Sequence, residues 1–134
     1  MTMKVREMIE SHPNTNNAAD DVVECVEACL ACVQTCTACA DACLAEDNVG
    51  EMAKCIRGDL DCADICQATA RVMSRQTETE TAVVQAQAAA AAEACRACAT
   101  ECEKHAEKHD HCRICAEVCR RCEEACRSMA GAAV

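Results

Sequence analysis

The 134-residue sequence predicts an all-α fold, an up-down-up-down four-helix bundle with a cysteine-lined core. Three observations carry that expectation. Cysteines recur at alternating steps of four and three, the period of one helix face turned toward a bundle axis. Capping and stopping residues divide the chain into four such segments, and the short connections between them make neighbouring helices antiparallel. The third is what the core lacks: there is no Phe, Tyr or Trp and only three Leu and four Ile, against 17 Cys. Its apolar residues are therefore mainly Cys, Ala and Val.

In chain order, residues 1–16 read as an arm or short helix that ends at Pro13 and the polar residues after it. Residues 17–134 form the bundle. Its first helix spans about 18–45, with Asn17 as cap, Asp20 in the first turn, and Asp47 and Asn48 closing it. The second spans about 49–75, where Asn48 and Glu51 have capping-box spacing and Gly58 weakens the helix slightly. Thr77 and Glu80 repeat that signature before a third helix over about 78–108. Asp110 caps the fourth, over about 110–130, which ends near Gly131.

The stripe on the first helix is Cys25, Cys29, Cys32, Cys36, Cys39 and Cys43, an unbroken heptad pattern of one residue type. The fourth repeats it with Cys112, Cys115, Cys119, Cys122 and Cys126, continued by Met129. On the third, Cys95, Cys98 and Cys102 follow Val84, Ala88 and Ala91 and precede His105 and His109. The second is sparser: Met52, Cys55, Asp59, Cys62, Cys66 and Met73. All four stripes are expected to face the axis.

Packing alone does not account for this set. A free cysteine does behave as a small hydrophobe, but a core of Cys and Ala forgoes methylenes that stabilise by about 0.8 kcal/mol each when buried. Disulfides within a helix are also disfavoured: residues three or four apart have Cβ atoms about 5–6 Å apart, whereas the bond wants roughly 3.5–4.5 Å. A d¹⁰ cation bridging two sulfurs at about 2.3 Å each suits the spacing better.

Soft thiolates select Cu(I), Zn(II) or iron–sulfur clusters. Zinc wants four converging ligands, while a helix offers its sulfurs in a row that two- or three-coordinate Cu(I) can fill. The iron–sulfur run C-x2-C-x2-C-x3-C-P is absent. The residues thus point to storage of several Cu(I) ions per chain, with loading coupled to stability. No acid–base constellation suggests an enzyme. The alternative is metallothionein-like buffering of zinc or heavy metals, although no Cys-x-Cys occurs.

The compartment follows from the same residues. Residues 1–10 contain no apolar signal core, no paired arginines and no small-residue cleavage site, and no apolar run approaches the roughly 20 residues of a membrane span. A soluble, cytosolic protein with reduced thiols is expected. A net charge of −10 disfavours nucleic acid and anionic membranes as partners. Copper ions and small copper carriers remain.

Alternating helix directions bring the connections near residues 47 and 109 to one end of the bundle. That end holds Cys43, Met52, Cys55, Cys102, His105, His109, His111 and Cys112, and metal is expected to enter there. The other end, with Val22, Met73, Val84 and Met129, reads as an apolar plug. Histidines near helix ends are often only solvated or engaged with the helix dipole. Three beside cysteines make ligands an equal reading, and His111 fits the stripe least well. Met52 is a thioether candidate, though packing is the commoner use. Asp59 is a ligand or hydrogen-bond partner near the mouth, or reaches water by rotation of its helix; a carboxylate buried alone is costly. Ala88 and Ala91 stand where the stripe would place thiols, so that segment should bind little metal.

In these two long stripes, in Cys55, Cys62 and Cys66, and in the histidines around Cys112, the chain resembles the bacterial copper storage proteins, specifically the cytosolic members. The resemblance runs from about residue 17 to the end. It implies a four-helix bundle that binds many Cu(I) ions on inward cysteines and assembles as a homotetramer. Val26, Leu30, Val33 and Leu44 form a second apolar stripe, available to a neighbouring helix or another subunit.

Overall fold

The computed structural model describes residues 3–14 and 19–131. Asn17 and the expected helix start at 18 lie outside the described residues. Short α1 (Val5–Glu10) leads to α2 (Ala19–Leu44), a 3₁₀ turn (Val49–Met52), α3 (Ala53–Ser74), α4 (Thr81–Glu103) and α5 (Asp110–Met129). No strand occurs among the described residues. Both α2 and α4 pack on α3 and α5, so the four long helices close into a ring around one axis.

The acidic first turn of α2, Asp20 and Asp21, complements its dipole. Arg6 bridges Glu10 and Asp20 at 2.9 Å each and ties α1 to α2, while Ile9 enters the common core. Val26 and Leu30 line a groove with Val5, Met8 and Ile9, so α1 partly covers the second apolar stripe. Leu44 stays exposed.

The helix ends depart from their sequence signatures. The capping box at Asn48 does not form, because its amide donates to Glu51 Oε2 at 3.1 Å and lies 3.8 Å from Met52 Sδ. The Glu51 N–H instead donates to the Asn48 carbonyl, closing the 3₁₀ turn. Thr77 caps nothing: its hydroxyl lies 3.1 Å from His12 Nε2, and α4 begins four residues later. Asp110 is the first residue of α5 rather than its cap, and its carboxylate accepts from Arg113 Nε at 2.8 Å.

α4 ends at Glu103, five residues before the expected limit. The amides of Lys104, His105 and Lys108 there reach carbonyls only three residues back, winding the chain into tight turns toward α5. Gly131 closes α5 with φ +71°, and any Cβ there would come within 2.7 Å of the Gln85 side chain.

All 17 cysteines are at most 1% exposed. Toward the far end the lining changes: Val22, Met73, Ala88, Ala91 and Ala92 are buried, with Val84 and Met129 packed against them. Thr69 is the buried polar exception, and Gln87 Nε2 donates to its hydroxyl at 2.8 Å. α2 also corrects the expectation about membrane-length segments, because by length and composition it is long and apolar enough to cross one. Its apolarity is largely Cys and Ala, and half of the apolar window is buried against the other helices.

Candidate metal centre

Heptad spacing turns each cysteine row inward, and the ring of helices brings four rows together. The closest sulfurs belong to different helices: Cys36–Cys119 and Cys55–Cys102 at 3.5 Å, Cys62–Cys95 and Cys66–Cys95 at 3.6 Å, Cys122–Cys29 at 3.7 Å. Within a helix, Cys62–Cys66 and Cys122–Cys126 lie at 3.8 Å. A metal about 2.3 Å from each sulfur sets sulfur–sulfur edges of about 4 Å. The column therefore approaches metal-thiolate geometry before any ion binds. All 17 thiols are free.

Sets of four donors converge within 4.8 Å of one another. They include Cys32/Cys66/Cys95/Cys122, Cys32/Cys36/Cys62/Cys119 and Cys36/Cys98/Cys115/Cys119. Neighbouring helices complete sets of four that no single helix offers, beyond the two- or three-coordination that one row of sulfurs suggests. Cys32, Cys36 and Cys119 each belong to two sets, which suits bridging.

Asp59 does not reach water. It is fully buried, and its Oδ1 accepts from Cys98 at 3.1 Å, Cys115 at 3.2 Å and Cys102 at 3.7 Å, while Oδ2 has no partner. Burial first, and then the closeness of the Cys115 sulfur, push its carboxyl up to about 8. With Cys39, Cys102 and Cys115 it forms another four-donor set.

At the mouth the connections after α2 and α4 meet. His111 fits the stripe least well, yet its Nδ1 lies 3.4 Å from Cys39 Sγ and 3.6 Å from Cys112 Sγ. Its Nε2 donates to Glu46 Oε2 at 2.8 Å. His109 stacks on it with ring centroids 5.5 Å apart, its Nδ1 3.1 Å from the same carboxylate oxygen and its buried Nε2 unpartnered. His105 Nε2 lies 3.4 Å from Glu101 Oε2. Met52 is fully buried in the core. Burial is the main force raising the Cys43 and Cys112 thiols, the latter to about 12. Without metal both keep their protons.

Sequence reasoning overlooked Glu46 and Glu101. Glu46 stands three residues after Cys43, where the four-three stepping places its next member, and that was a usable signal. Glu101 lies beside the stripe, four residues before His105, and carried none as specific.

Fold and site together define an all-helical, cysteine-rich metal-binding bundle with many sites. A profile of the copper storage protein family matches residues 18–131, and the chain belongs to that family. The copper storage protein Ccsp from Streptomyces lividans, in a structure loaded with 10 copper equivalents, is 46% identical with a TM-score of 0.91, covering 95% of this chain and 98% of that one. A structure of copper loading to a cytosolic copper storage protein from Streptomyces lividans, with five coppers, is 52% identical with a TM-score of 0.82, covering 84% and 93%. The uncharacterized cysteine-rich protein YhjQ of Bacillus subtilis (strain 168) is 42% identical over 106 residues, 79% of this chain and 93% of the relative.

Proposed function

We propose that this chain stores multiple Cu(I) ions on the thiolates of its core cysteines, admitting them at the histidine-bearing end. The observation that carries this is the buried column of free thiols with overlapping four-donor sets, joined to 46% identity with a relative solved with 10 copper equivalents. His111 faces Cys39 and Cys112, and Glu46 holds its other nitrogen. This orientation supports capture at the mouth, transfer to Cys43, Cys55 and Cys112, and passage inward by exchange between bridged sets. Asp59 offers a carboxylate oxygen among the next thiols. Met52 supplies packing under the mouth.

The proposed setting is the cytosol, supported by the name of the 52%-identical relative and by the unpaired thiols. The proposed partners are small copper carriers, and the proposed assembly is a homotetramer, as the family resemblance implies.

Titrating the reduced protein anaerobically with Cu(I), against a chelator of known affinity, tests the storage reading. About ten or more tightly held ions per chain are expected, following the loaded relative. Tight binding that stops at one or two would sink it.

A further inference from the structure

We propose that Cys39, Cys43, Cys112 and His111 form a tetrahedral Zn(II) site that closes the mouth of the copper-free bundle. Their sulfurs and one imidazole nitrogen all lie within 4.8 Å of one another, the three-cysteine, one-histidine set of a closed structural zinc site. His111 directs Nδ1 at two of the sulfurs while its Nε2–H donates to Glu46 at 2.8 Å, the carboxylate–histidine arrangement that fixes the tautomer in zinc proteins. His109, stacked on His111 and within 3.1 Å of the same carboxylate, braces that geometry.

Charge separates this site from the four-cysteine sets deeper in the column. Zn(II) on four thiolates carries a net charge of −2, and the buried polar residues of the core, Asp59, Thr69 and Glu101, include no cation to balance it. At the mouth a neutral imidazole replaces one thiolate, the net charge is −1, and the His111 side chain is 25% exposed to water. Binding transfers the protons of Cys39, Cys43 and Cys112 to solvent and oxidises nothing.

Coordination number then decides which ion moves on. Cu(I) passes inward while keeping two or three sulfurs, whereas Zn(II) needs all four ligands at once and stays where it lands. Cys39 and Cys43 come from the last turns of α2 and Cys112 from the first turn of α5, so the ion staples two helices at the end where copper enters. Zinc would then hold the empty bundle shut until Cu(I), the softer ion, takes its thiolates.

The test is a titration of the reduced, copper-free full chain with Zn(II) against a chromophoric chelator, repeated with Co(II) as a spectroscopic stand-in. One tight zinc per chain is expected, with thiolate charge transfer and tetrahedral ligand-field bands from cobalt. His111→Ala and Cys112→Ser should abolish tight binding, Glu46→Gln should weaken it about tenfold, and Cys66→Ser, deep in the column, should leave the zinc bound. Helical circular dichroism of each copper-free variant separates loss of the site from loss of the fold. The proposal is overturned if no tight zinc binds, if several bind equally, or if the single zinc survives His111→Ala in a folded protein. Copper capacity measured on the same preparation judges the storage reading separately, and either can fail alone.

Discussion

Loading the core with Cu(I) should raise the melting temperature by about 20 °C or more. The metal-free interior is Cys and Ala with few larger side chains, and its buried methylenes contribute little. Each ion that draws sulfurs from two helices adds a cross-link that the unfolded chain lacks, and one structural zinc in a small domain contributes on the order of 10 kcal/mol. Near this chain length each kcal/mol moves the midpoint by a few degrees, so even a fraction of that free energy, multiplied over several ions, gives a large shift. Anaerobic thermal melts of copper-free and loaded protein measure it directly. A shift below about 5 °C would place the ions on the surface and not between the helices.

Asp59→Asn should stabilise the copper-free protein at pH 8 by several kcal/mol and change it little at pH 4. The carboxyl is pushed up to about 8 in the folded state from a value of 3.8 elsewhere, chiefly by burial. Its folded form therefore binds the proton more tightly than its unfolded form. Stability is full below about pH 4, falls as pH rises toward 8 and is level above, at roughly 1.4 kcal/mol for each pH unit crossed. Asparagine keeps an oxygen to accept from Cys98 and Cys115 but has no charge to bury. Urea unfolding of both proteins under reducing conditions, at several pH values, checks this. An equal stability difference at every pH would mean that Asp59 is ionised inside the fold.

The long cysteine stripes made the architecture readable, because six thiols at four-three spacing allow only one helix face. Boundaries were harder. Asn48 and Thr77 carry capping signatures, but one spends its amide on Glu51 and the other its hydroxyl on His12, contacts that tertiary placement decides. Convergence of thiols into sets of four depends on the rotation and register of neighbouring helices, which one-dimensional spacing does not contain. His111 shows the same limit. Counted along its own helix it falls beside the stripe, yet at the first turn of α5 the ring reaches across to Cys39 on α2. Glu46 sits past the last turn of α2, where helical counting stops being reliable, although here it pointed correctly.

With Val22, Met73, Val84 and Met129, backed by Ala88 and Ala91, filling the far end, the entry proposed at the histidine-bearing end would be the column's single working end. Filled and emptied through that one opening, it would behave as a stack: the last ion in would be the first out. On that proposal, copper near Cys39 and Cys112 would form a quickly exchanging pool, and copper around Cys25 and Cys126 an old reserve that leaves only after the ions above it. Loading first with one copper isotope and then with another, before slow removal by a chelator, should release the second isotope first. Simultaneous release of both would mean that ions mix along the column faster than they leave it.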